Sequence, residues 1–97
     1  MKSKEEVLQI LKEAKPELVR RYGLRRLALF GSYARGDQRE DSDVDICIKT
    51  KTPDPFALVH IKETIEELIH KHVDIVRVRK QMNPFLKERI EKEAHYV

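Results

Sequence analysis

The apolar run Leu27-Ala28-Leu29-Phe30 stops at Gly31-Ser32, and this junction constrains the fold more than any other stretch of the chain. A short continuous apolar run closed by glycine reads as a buried strand entering a sharp turn. Such a strand needs neighbours in a sheet and helices to cover it. Asp43-Val44-Asp45-Ile46-Cys47-Ile48 supplies one neighbour, because its period-two alternation sets Val44, Ile46 and Ile48 on one face and both aspartates on the other. Val73-Asp74-Ile75-Val76-Arg77-Val78 is short and β-branched and reads as a third strand.

The remaining segments are helical. Ser3 and Glu6 stand at capping-box spacing before Val7, Leu8, Ile10, Leu11 and Ala14. Pro16 disfavours helical geometry at Lys15 but suits the first turn of another helix, so a second short helix is expected through Leu18, Val19 and Tyr22 to Gly23. Asp54-Pro55 caps and opens a longer helix carrying Phe56, Val59, Ile61, Ile65, Leu68 and Ile69, ended at Lys71-His72. Asn83-Pro84 starts a terminal helix with Phe85, Leu86, Ile90 and Ala94 on one side. This order predicts an α+β (mixed α/β) fold, a small sheet covered by helices, and the length fits one domain over residues 1–97.

Composition narrows the function classes. Charged residues are 38% and hydrophobic residues 40% of the chain, which favours a folded domain with a charged surface over disorder. The 20 Lys+Arg and 17 Asp+Glu are interspersed and leave a net charge of only +3, so nucleic acid is not required as a partner. Cys47 is the single cysteine, no apolar stretch approaches membrane-spanning length, and the opening Met1-Lys2-Ser3-Lys4-Glu5-Glu6 lacks the apolar core of a signal peptide. The expectation is a cytoplasmic protein with no membrane partner.

The chemistry concentrates between Gly31 and Asp45, where Gly31-Ser32 precedes Asp43-Val44-Asp45 by ten residues. Glycine at a strand exit admits a phosphate close to the backbone, and the following amides with the Ser32 hydroxyl could cradle terminal phosphates of a nucleotide. Asp43 and Asp45 share a strand face, where two hard carboxylates can hold Mg²⁺ while it also takes phosphate oxygens. A third strand beside the second would bring Asp74 into the same cluster. Two metals could then bridge nucleophile and phosphate, with Asp74 ligating one or accepting the proton of an attacking hydroxyl. Without cations three such carboxylates would repel one another.

Phe30-Gly31-Ser32-Tyr33-Ala34-Arg35-Gly36, Asp41-Ser42-Asp43-Val44-Asp45-Ile46 and Val73-Asp74-Ile75-Val76 together resemble the minimal nucleotidyltransferases of the DNA polymerase beta superfamily. The likeness is greatest to the MNT-type antitoxins encoded beside HEPN toxins. It implies a nucleotidyltransferase fold with a small mixed sheet, ATP as substrate, Mg²⁺ as cofactor, and AMP transfer to a tyrosine hydroxyl of a HEPN ribonuclease toxin, which is thereby inactivated. Carried over residue by residue, Gly31 and Ser32 would bind triphosphate, Asp43 and Asp45 would hold metal, and Asp74 would complete the metal and catalytic site. Two other readings remain open at this point: neutralisation of the toxin by binding alone, and nucleotidyl transfer to a small-molecule alcohol. Arg35 reads as a structural or phosphate-contacting residue. His70 and His72 have no Cys or third His at a useful spacing and read as surface groups, and Cys47 reads as a small strand residue.

Overall fold

The structure, a computed structural model, describes residues 2–97. In chain order its elements are α1 (Lys4–Tyr22), β1 (Leu24–Phe30), α2 (Gly31–Arg35), β2 (Val44–Thr50), α3 (Pro55–Ile69), β3 (Val73–Arg77), α4 (Pro84–Glu93) and β4 (His95–Tyr96). The capping box at Ser3 is formed: its hydroxyl accepts the Glu6 N–H, and the Glu6 carboxylate accepts the Ser3 N–H.

The expected pair of short leading helices is instead one helix of 19 residues with Pro16 inside it. Val7, Leu11, Ala14 and Leu18 recur at helical spacing and are all buried, so the core-facing seam crosses the proline without a break. Pro16 itself is exposed, on the side where water can solvate the Lys12 carbonyl that lacks its usual donor. The helix ends at Gly23 in the left-handed region, with φ 67°, and its N–H donates to the Val19 carbonyl at 3.1 Å.

β1 begins at Leu24, ahead of the apolar run. Leu24 pairs with Thr50 and Arg26 with Lys49, so the register slips at Arg25. That bulge lets Leu24 join Leu27 and Leu29 in one core despite the odd spacing between Leu24 and Leu27. The sheet order is β3-β2-β1-β4. β1 is antiparallel to both β2 and β4, whereas β2 and β3 are parallel, and α3 is the crossover that parallel pairing requires.

The chain end also differs from expectation. The terminal helix stops at Glu93, and His95–Tyr96 forms a fourth strand pairing Ala28 with Tyr96 and Leu29 with His95. The Val97 N–H continues the pairing by donating to the Leu27 carbonyl at 3.0 Å.

Each sheet face has its own core. Leu27, Leu29, Val44, Ile46 and Ile48 pack with α1 and α3 residues including Leu11, Leu18, Ile61 and Ile65. Ala28, Phe30 and Cys47 on the opposite face pack with Ile90 of α4, flanked by Val76, Leu86 and Ala94. The second cover is smaller, and it leaves the strand ends beside Phe30 open. Among the described residues no helix is long and apolar enough to cross a membrane.

Candidate active site

Strand direction assembles the site. With β1 antiparallel to β2 and β2 parallel to β3, the C-terminal end of β1 meets the N-terminal ends of β2 and β3 at one edge of the sheet. Phe30 pairs with Asp45, which sets Gly31-Ser32 at the start of β2, and Asp45 pairs in turn with Asp74. Three segments distant in sequence thus deliver Gly31, Ser32, Asp43, Asp45 and Asp74 to one corner. Asp45 is half-buried on the α4 face, whereas Asp43 and Asp74 are exposed.

Gly31 is the tightest point. Its φ is +75°, and a Cβ there would lie 2.1 Å from Oδ2 of Asp45, closer than any pair of non-bonded atoms can approach. Only glycine lets this backbone lie against the carboxylate. Ser32 follows in the first turn of α2, partly exposed, and its carbonyl accepts the N–H groups of Gly36 and Asp37 to close that short helix.

Burial pushes the Asp45 carboxyl above the ordinary carboxylate range, the charges of Asp74 and Asp43 push it further, and Arg89 and Arg35 oppose them. Arg35 is fastened from two sides: Nη1 donates to both Glu93 oxygens at 2.8 and 2.9 Å, and Nε donates to Asp37 at 3.1 Å. It therefore ties α2 to α4 and adds positive potential near Asp45.

One residue escaped sequence reasoning, and another was read there without its neighbours. Arg89 of α4 lies over the Phe30 ring, its guanidinium carbon 5.8 Å from the ring centroid, and is the strongest positive influence on Asp45. Its position next to buried Ile90 was the available signal. His72, read from the sequence as a surface group, is exposed, and its Nδ1 lies 3.3 Å from Asp43 Oδ1 and 4.0 Å from Asp74 Oδ1. The signal was its spacing, two residues before Asp74 at the entry to β3.

Residues 11–97 match the family described as nucleotidyltransferase domain. The chain belongs to that nucleotidyltransferase family. The protein adenylyltransferase MntA of Thermococcus cleftensis is 35% identical to this nucleotidyltransferase over 94 residues, covering 96% of this chain and 94% of its own. A solved structure named "putative minimal nucleotidyltransferase" has a TM-score of 0.78 and 35% identity, covering 97% of this chain and 95% of the other. The complex of a tri-AMPylated Shewanella oneidensis HEPN toxin with MNT antitoxin shares the fold, at a TM-score of 0.59 and 20% identity over 96% of this chain and 66% of that one.

The donor set of this nucleotidyltransferase fits a divalent cation. Asp43, His72 and Asp74 each offer a ligand atom, and the three atoms lie within 4.8 Å of one another. Carboxylate oxygens are the donors that Mg²⁺ prefers, and the missing side chain at Gly31 is what lets the Asp45 carboxylate sit against the β1 exit.

Proposed function

We propose that this nucleotidyltransferase acts as a single-domain antitoxin, transferring AMP from Mg²⁺-ATP to a tyrosine hydroxyl of a HEPN ribonuclease toxin and so inactivating it. The observation that carries the reading is the cross-strand Asp45–Asp74 pair, with Asp43 alongside and the bare backbone of Gly31 against Asp45. The relative named protein adenylyltransferase supports the reaction, and the AMPylated HEPN toxin bound to MNT antitoxin supports the acceptor class.

In this reading Gly31 admits the triphosphate to the strand end, and the Ser32 hydroxyl donates to a phosphate oxygen. Asp43 and Asp45 would hold Mg²⁺, and Asp74 would complete the ligand set, with two ions in all. When bound, Mg²⁺ would neutralise phosphate charge and relieve the repulsion among the carboxylates. Asp74 accepts the tyrosine proton while the phenolic oxygen bonds to the α-phosphorus. The bond from that phosphorus to the bridging oxygen of the β-phosphate breaks, and pyrophosphate leaves. Arg89 and Arg35 add positive potential where charge accumulates on the leaving group.

Intact-mass analysis of a HEPN partner after incubation with this protein, Mg²⁺ and ATP tests the proposal. We expect one or more AMP-sized increments, absent with the Asp43→Ala/Asp45→Ala variant. A verified partner that forms a tight complex yet gains no mass would overturn catalysis in favour of neutralisation by binding.

A further inference from the structure

We infer that His72 is a metal ligand, and that through it the Asp43–Asp74 side of the site prefers Mn²⁺ or Zn²⁺ over Mg²⁺. This rests on the reading of the acidic corner as a metal-dependent site and adds a nitrogen donor to it. The β2–β3 register pairs Val44 with Val73, and the Val44 N–H donates to the His72 carbonyl at 3.0 Å. This places the His72 backbone opposite Asp43, one residue before the strand that carries Asp74.

Ligands about 2.1 Å from an octahedral ion stand about 3.0 Å apart when adjacent and about 4.2 Å apart when opposite. The Nδ1 separations of 3.3 Å from Asp43 and 4.0 Å from Asp74 fall within that range. All three ligand atoms lie within 4.8 Å of one another on exposed residues, so rotation of these side chains can bring them to one shared ion. Mg²⁺ favours an all-oxygen shell, whereas a neutral imidazole beside carboxylates suits later first-row metals. The added nitrogen thus raises affinity for Mn²⁺ and Zn²⁺ much more than for Mg²⁺.

The test is direct ion binding to the full chain by calorimetry, with Mg²⁺, Mn²⁺ and Zn²⁺ in turn, on wild type, His72→Ala and His72→Gln. Bound Mn²⁺ is also examined by pulsed electron paramagnetic resonance for coupling to a nitrogen nucleus. We expect His72→Ala to weaken Mn²⁺ and Zn²⁺ by about tenfold or more and Mg²⁺ by less than about threefold, in line with loss of one ligand. The nitrogen coupling should vanish in both variants. Equal weakening of all three ions, or a wild-type spectrum without histidine nitrogen coupling, would overturn the inference. Circular dichroism confirms that each variant is folded before binding is read. Failure of the broader reading looks different: AMP transfer would persist in Asp43→Ala/Asp45→Ala, whatever His72 does to ion choice.

Discussion

At the scale of single residues, Gly31 and Asp45 form one device, since the absent side chain of the first is what gives the second its place. A methyl group at Gly31 would meet Asp45 Oδ2 at 2.1 Å and would require a positive φ of an L-residue. Gly31→Ala should therefore cost about 1–2 kcal/mol of stability from the backbone conformation. It should also displace the Asp45 carboxylate, lowering AMP transfer by about 100-fold or more. Thermal denaturation and a single-turnover assay check the two effects separately. Asp45 itself trades stability for its position. Its carboxyl is pushed up in the folded state by burial and by the Asp74 and Asp43 charges, so the fold favours its protonated form. The associated stability is fully present below the unfolded-state value and is lost as pH rises through the raised folded value. Asp45→Asn should thus raise Tm by about 2–5 °C near neutral pH, with the gain disappearing in acid, while abolishing transfer. A Tm that falls, or a gain that persists unchanged in acid, would contradict this account. The Gly-Ser strand exit and the paired aspartates were legible in sequence from the end of the apolar run and the alternation, whereas Asp74 joined them only on the condition that β3 lies beside β2, which the register now supplies. His72 and Arg89 were not legible, because their roles depend on which strand lies beside which and on where α4 lands.

Among the elements, the sequence pattern erred where a local rule was overridden by packing. Pro16 argued for two helices, yet the buried stripe from Val7 to Leu18 runs past it, and the proline lies on the exposed side. The burial of that stripe outweighs one missing helix hydrogen bond. Pro16→Ala restores the N–H donor to Lys12 without touching the core, and it should stabilise the protein by about 1–2 kcal/mol. Urea unfolding measures this, and a loss of stability would show that the proline is accommodated by something other than solvent exposure. β4 was missed for a different reason. Two residues are too few to show alternation, and His95–Tyr96 is a strand only because β1 offers it an open edge. The bulge at Arg25 was likewise invisible, since a register shift belongs to the pair β1–β2 and to neither strand alone.

Across the whole molecule, the two sheet faces divide the work. The α1 and α3 side holds the larger core, and the α4 side combines a small core with the open corner where the three aspartates meet. Substitutions of core residues on either face should therefore act on stability and spare the chemistry at the corner. Leu29 is fully buried on the first face, and Leu29→Ala should cost about 3–4 kcal/mol through lost burial and a residual cavity. Its activity should fall only as the folded fraction falls. Cys47 is fully buried on the second face, two residues beyond Asp45, and burial raises its thiol pKa to about 11, so it stays protonated near neutral pH. Cys47→Ala should cost only about 1 kcal/mol and leave transfer within about twofold when assayed well below Tm, the result expected of a packing residue beside the site. Denaturant curves and transfer rates measured on the same preparations decide the matter. A large rate loss in a fully folded Cys47→Ala protein would place the thiol in the chemistry, and a normal rate would confine the chemistry to the carboxylates at the strand ends.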